Sequence, residues 1–330
     1  METQSKVPSS KIKHAIGLAA DVKKRLSYRI TRKPLLFPRV IQIQTNNLCN
    51  GSCLMCPVSR EKIRNPGKMS DELFERIVKE IVENRAEDAF VLLYLQNEPL
   101  TDNSIFEKFK LIKKLSNGKI ETGFVTNGTL LTGEKIKELC EAEVDDVFFS
   151  IDASTEKTYN KIRRGLNYNK VLENIESLRI SNCKTRVIAE FAWQKDNYSE
   201  LNDFKKIWEN KGIKTFIQTV NNRAGTVSNF EDIRLTHKDF SFRKKFTTIL
   251  ELIITGGCWE LVDHINILYN GDVIMCCNDY ERRIILGNVK TNSIREIWNG
   301  EKYQLVREAI FDRDFERIPG CSDCSSIKYS

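Results

Sequence analysis

Cys49-Asn50-Gly51-Ser52-Cys53-Leu54-Met55-Cys56-Pro57 carries three cysteines, the first pair separated by three residues and the second by two. Before it, Arg39-Val40-Ile41-Gln42-Ile43-Gln44-Thr45 alternates apolar and polar side chains and reads as a strand. Asn46, Asn47, Asn50 and Gly51 favour turns, so the cysteines sit on a loop leaving that strand. Three thiolates on one short loop can converge on one metal centre. Structural zinc asks for four protein ligands in a closed tetrahedron. No further Cys or His follows until Cys140, and His14 lies on a predicted helix. An iron–sulfur cube also takes four ligands but can leave one iron to a small molecule. The ligand count favours the cube, with zinc and free thiols as the alternatives.

The 330 residues allow one large domain, or one and a half, and a 41% hydrophobic share suits a globular core. No apolar run approaches the length of a membrane span and no secretory signal is visible. The expected location is therefore the cytoplasm, without a membrane partner. Ten cysteines in such a chain argue for metal ligation and against a disulfide framework. The formal charge of +7 is spread along the chain and demands neither nucleic acid nor another anionic partner.

Residues 10–27 read as an amphipathic basic helix, one that caps the domain. Beyond the cysteine loop, strands and helices alternate. Strands are predicted near 89–95, 119–125, 146–151, 186–193 and 214–220, with helices near 71–84, 104–115, 133–142, 155–162, 168–180 and 198–211. This strand–helix rhythm means α/β architecture with a parallel sheet, either open and doubly wound or a partial barrel. In both, chemistry belongs at the carboxyl ends of the strands. Cys140, Cys183, His237 and His264 lack ligand-type neighbours and read as structural.

Cys49-x3-Cys53-x2-Cys56 after a first strand resembles the signature of radical S-adenosylmethionine (SAM) enzymes. The resemblance implies a partial (β/α)6 TIM-like barrel over 39–235, preceded by a basic helix and linker at 1–38. It also implies that Cys49, Cys53 and Cys56 hold a [4Fe-4S] cluster whose open iron chelates SAM. Gln96-Asn97-Glu98-Pro99 departs from the family's glycine-rich form of this stretch, yet Glu98 matches the acid that accepts from SAM's ammonium. Asn127, at a shared Thr-Asn-Gly, and Ser150 match SAM-contacting positions. Arg163 matches a residue pairing with SAM's carboxylate, and Met55 one that packs on the adenine.

Residues 236–330 break the strand–helix rhythm. A basic helical stretch is predicted at 236–254, a hairpin around Asn270-Gly271, and a helix from Ile294 to Arg307. Cys258, Cys276, Cys321 and Cys324, on separated segments, can fully ligate a second centre, iron–sulfur or zinc. Their spacing resembles the auxiliary-cluster domains called SPASM and twitch, and implies one auxiliary [4Fe-4S] cluster. Cys277, next to Cys276 on an expected strand, should point to the opposite face and is either packed or a hydrogen-atom donor.

The same count and spacing is similar to radical dehydrogenases of aminocyclitol alcohols. The resemblance therefore implies an oxidoreductase that takes a hydrogen atom from a sugar or cyclitol alcohol and passes an electron to the auxiliary cluster. Arg223, on the loop leaving the last barrel strand, is the candidate proton acceptor. A flavodoxin- or ferredoxin-type protein is the expected electron donor. Maturation of a precursor peptide, by crosslinking or epimerisation, is the alternative, and a non-catalytic iron–sulfur electron-transfer module is a third reading.

Overall fold

The computed structural model describes residues 31–58, 66–85, 88–236, 258 and 260–325. The expected helices at 10–27 and 236–254, with His14 and His237, lie outside the described residues except for Thr236. Six strands follow the chain order: β1 (Val40–Ile43), β2 (Phe90–Leu92), β3 (Glu121–Thr126), β4 (Asp146–Ser150), β5 (Arg186–Trp193) and β6 (Lys214–Thr219). Each pairs in parallel with the one before it. The connections are helical: α1 (Asp71–Arg85), α2 (Ile105–Ser116), α3 (Gly133–Glu141), α4 (Glu156–Ile162), α5 (Tyr168–Ile180) and α6 (Leu201–Asn210).

Local chemistry explains these elements. Ser70 accepts from the Leu73 N–H at the start of α1, and Asp71 and Glu72 favour its positive end. Leu73, Phe74, Ile77, Val78 and Ile81 form its buried stripe. On β1, Ile41 and Ile43 join Phe74 and Ile77 in the main core, while Gln42, and Gln44 just past the strand, are buried as well. Gln44 Nε2 donates to the Leu95 carbonyl at 2.7 Å, because a buried amide left unpaired costs about 1–3 kcal/mol. The sheet thus has an apolar outer face under the helices and a partly polar inner face.

The carboxy-terminal segment continues the same sheet. β7 (His264–Ile267) pairs in parallel with β1, and β8 (Asp272–Ile274) and β9 (Ile285–Asn288) follow antiparallel. The order is β6-β5-β4-β3-β2-β1-β7-β8-β9. In a flat sheet β6 and β8 would stand roughly 34 Å apart, at about 4.8 Å per strand. Yet Arg223, four residues past β6, donates to Asn278, four residues past β8, at 2.7 Å. Arg283 likewise donates to the Ala224 carbonyl at 2.7 Å, and Asn222 exchanges hydrogen bonds with Ser325. The sheet is therefore curled, and the carboxy-terminal residues bridge the open seam of a partial barrel.

The helix expected from Ile294 to Arg307 is two: α7 (Ile294–Asn299) and α8 (Glu301–Phe311), broken where Gly300 adopts extended ψ 160. Ser293 and Glu296 form a capping box on α7, and Glu80 of α1 accepts from the Ile294 and Arg295 N–H groups. Arg307 lies over Trp298, 4.1 Å from its ring centre, and donates to the Trp298 carbonyl. A further correction concerns Cys140 and Cys183. The sequence reads them as separate thiols, but the structure joins them in a disulfide, with Cα atoms 5.3 Å apart and a sequence separation of 43. Among the described residues no helix is long and apolar enough to cross a membrane.

Candidate active site

The cysteine loop leaves the carboxyl end of β1 and is held by its neighbours. Ser52 N–H donates to the Arg164 carbonyl at 2.9 Å and Leu54 N–H to the Ile162 carbonyl at 2.8 Å. Asn127, past β3, donates through Nδ2 to Asn50 Oδ1 at 2.7 Å, and Asn50 Nδ2 donates to Thr129 Oγ1 at 2.9 Å. The turn-forming asparagines thus lock the loop. Cys49, Cys53 and Cys56 line one cleft at the carboxyl ends of the strands. Met55, Glu98, Asn127, Ser150, Arg163 and Arg223 line it too. The sequence-derived candidates for the first site therefore share one cavity.

Burial pushes the Cys49 thiol up to about 12 and raises that of Cys53. Such sulfurs become thiolates when a metal takes the proton's place. Among the described residues, no fourth cysteine or histidine lines the cleft. Nor do three His, Cys, Asp or Glu side chains converge closely enough for a single ion. Single zinc would draw its sulfurs to about 2.3 Å. A cluster that takes one sulfur per iron fits a set of three cysteines, and Cys49, Cys53 and Cys56 would hold it.

Glu98 is buried, and both of its oxygens are engaged. Oε1 accepts from Thr126 Oγ1 at 2.7 Å and Leu100 N–H at 3.1 Å, and Oε2 from Asn127 N–H at 2.8 Å. Burial raises its pKa and these bonds oppose the rise. Arg163, at the end of α4, meets Asp152 at 2.5 Å and reaches Cys53 Sγ at 3.7 Å. Asp152 adopts left-handed φ 60, and its Oδ1 accepts from Ala192 N–H at 2.6 Å. Met55 is buried among Ile162, Val220, Val227, Phe230 and Ile233 while still touching the cleft.

Sequence reasoning missed Glu190. It sits on β5, lines the cleft, and accepts from Ser150 Oγ at 2.9 Å. Burial lifts its pKa to about 7, with the Ser150 bond pulling the other way. The signal was present in Val187-Ile188-Ala189-Glu190-Phe191, a lone acid in an apolar strand. Arg223 requires a correction. An arginine is permanently protonated at any pH at which the protein works. It cannot be the proton acceptor.

In the second cysteine set, Cys321 and Cys324 form a knuckle in which Cys324 N–H donates to the Cys321 carbonyl at 3.1 Å. Cys258 interacts electrostatically with both of them and Cys276 with Cys258, so the four segments meet. The opposite-face argument for Cys276 and Cys277 fails. β8 ends at Ile274, both cysteines lie in the turn beyond it, and their sulfurs are hydrogen-bonding neighbours. Cys277 packs against Leu95, Leu268 and Ile274. His264 pairs with Asp263 at 2.5 Å and does not line the cleft.

Residues 43–206 match the radical SAM superfamily, and residues 258–325 match SPASM, an iron–sulfur cluster-binding domain. The tungsten-containing aldehyde ferredoxin oxidoreductase cofactor-modifying protein of Pyrococcus furiosus is 24% identical over 322 residues, covering 87% of each chain. The S-adenosyl-L-methionine-dependent 2-deoxy-scyllo-inosamine dehydrogenase of Niallia circulans is 17% identical over 291 residues, 87% of this chain and 93% of that protein. The structure of Streptococcus suis SuiB bound to precursor peptide SuiA superimposes with a TM-score of 0.65 at 15% identity, covering 99% of this chain and 77% of that one, which shows the shared fold. A parallel partial barrel with three cysteines after its first strand, followed by a second cysteine set across its seam, belongs to the radical SAM superfamily in its SPASM-bearing form, with SAM and [4Fe-4S] clusters as cofactors.

Proposed function

We propose that this radical SAM enzyme oxidises a hydroxyl-bearing carbon of a sugar or cyclitol to a carbonyl. The observation that carries the reading is Glu190, a buried carboxylate in the same cleft as the three-cysteine loop, oriented by Ser150. With SAM on the cluster held by Cys49, Cys53 and Cys56, the cofactors supply hydrogen-atom abstraction from carbon, and the cluster held by Cys258, Cys276, Cys321 and Cys324 supplies an electron acceptor. Converting an alcohol to a ketone removes a hydrogen atom, a proton and an electron. The chain's own contribution is the proton acceptor. A carboxylate whose pKa lies about 7 is matched to that task near neutral pH.

The remaining cleft residues hold and orient. Met55, Glu98, Asn127, Ser150 and Arg163 would surround SAM, with Arg163 kept in register by Asp152. The Niallia circulans relative is a cyclitol-amine dehydrogenase, which supports the reaction class. A flavodoxin- or ferredoxin-type donor would supply the initiating electron.

The test is anaerobic turnover of reduced, cluster-loaded protein with SAM and a panel of sugar and cyclitol alcohols. Ketone and 5′-deoxyadenosine should accumulate in equal amounts. Formation of 5′-deoxyadenosine with the substrate's oxidation level unchanged, or action on a precursor peptide instead, rejects the proposal.

A further inference from the structure

The cleft holds two guanidinium groups with different surroundings. Arg163 is neutralised by Asp152 at 2.5 Å. Arg223 pairs with no carboxylate among the described residues; its Nη1 donates to a neutral amide, Asn278 Oδ1, at 2.7 Å, and its Nε is buried without a partner. The carboxylates of the cleft make their hydrogen bonds elsewhere, Glu98 with Thr126, Leu100 and Asn127 and Glu190 with Ser150, although Glu190 faces Arg223 electrostatically. Beside Arg223 stand Tyr94 and Tyr280, which line the same cleft. No hydrogen bond of either hydroxyl occurs among the described residues, and a phenol is an O–H donor at neutral pH.

The backbone holds this cation still. Arg223 lies in the left-handed region at φ 49, its N–H donates to Asn221 Oδ1 at 2.6 Å, and its carbonyl accepts from Thr226 Oγ1 at 2.7 Å. A fixed guanidinium flanked by two unspent hydroxyl donors is complementary to an anionic oxygen group. We propose that Arg223, Tyr94 and Tyr280 form an oxyanion clamp, and that the substrate carries a carboxylate or phosphate seated in it. The inference rests on this cleft being the substrate site, as proposed above.

The test measures binding to cluster-loaded protein by anaerobic calorimetry, without turnover. The probes are myo-inositol 1-phosphate, D-glucuronate and uncharged myo-inositol. One or both anions should bind about tenfold or more tighter than myo-inositol. Which anion does so separates phosphate from carboxylate. Arg223→Gln should remove that preference, Arg223→Lys should retain part of it, and Tyr280→Phe should weaken it. Equal affinity for the three probes, or no measurable binding of either anion, overturns the clamp. So does an Arg223→Gln protein that keeps the preference but shifts a cluster's reduction potential, because Arg223 would then balance charge near Cys56 and Cys277. Should Arg223→Gln fail to fold, the wild-type probe comparison and Tyr280→Phe still decide. A protein that prefers the anions yet forms no ketone rejects the dehydrogenation and leaves the clamp standing.

Discussion

The Arg163 guanidinium meets the Asp152 carboxylate at 2.5 Å, and both side chains are almost wholly removed from water, 13% and 1% exposed. The pair joins the end of α4 to the turn after β4, and through Cys53 it touches the cysteine loop. Removing one partner of such a pair leaves the other charge buried and uncompensated, which typically costs about 3–5 kcal/mol. Asp152→Asn should therefore lower stability by about 3 kcal/mol in anaerobic denaturation. It should also weaken SAM binding, because Arg163 loses its register. The double variant Asp152→Asn with Arg163→Gln should lose less than the sum of the two single changes. Full additivity would show that the two side chains act independently.

Glu190 links activity and stability with opposite signs. Its carboxyl is lifted from the ordinary 4.5 to about 7 by burial, with Ser150, Asp152, Arg163 and Arg223 as the groups facing it. The folded protein therefore binds this proton more tightly than the unfolded chain does. Its stabilising contribution is complete below pH 4.5 and is lost as the pH rises through about 7, roughly 3 kcal/mol at most. Proton acceptance requires the ionised form, so ketone formation should rise over the upper part of that window. Glu190→Gln should lower ketone formation by about 10²–10⁴-fold while making the protein more stable above neutral pH. Rate–pH profiles beside denaturation curves for the two proteins check both signs.

Much of this site was legible in the sequence because local rules act there. Asn50 and Gly51 make a turn after an alternating strand, and the acids and amides that follow β2, β3 and β4 fall at strand ends once the strand–helix rhythm is seen. The residues that escaped depend on nonlocal geometry. Glu190 reads as an anomaly inside a strand until Ser150 is seen beside it on β4. The bond from Arg223 to Asn278 requires the sheet to curl, which no local pattern encodes. The parallel pairing of β7 with β1 joins segments more than two hundred residues apart. Cys276 and Cys277 were misread because the strand was extended past Ile274, and alternation applies only within a strand.

The Cys140–Cys183 bond ties the end of α3 to the connector before β5 and closes a loop of 43 residues. A loop of that size restricts the unfolded chain by about 4 kcal/mol in the chain-entropy account. Replacing both cysteines by serine should lower stability by about 2–4 kcal/mol without reductant and leave it nearly unchanged in excess dithiothreitol. Iron content and SAM cleavage should not change, because neither residue touches the cleft. Loss of iron in the double variant would assign these thiols a part in cluster assembly.

The neighbouring sulfurs of Cys276 and Cys277 yield the sharpest test of the second cysteine set. Both lie beyond β8, and Cys276 interacts electrostatically with Cys258, which in turn meets Cys321 and Cys324. Cys277 faces the apolar trio of Leu95, Leu268 and Ile274 instead. Two complete cubes amount to about eight irons per chain. Cys276→Ala should reduce the content towards about four, as Cys321→Ala does, while Cys277→Ala should keep nearly all of it. Iron assay and Mössbauer spectroscopy of anaerobically purified variants measure this directly. If Cys277→Ala loses the iron and Cys276→Ala retains it, the two sulfurs exchange roles, and the turn rather than the strand would then have selected the ligand.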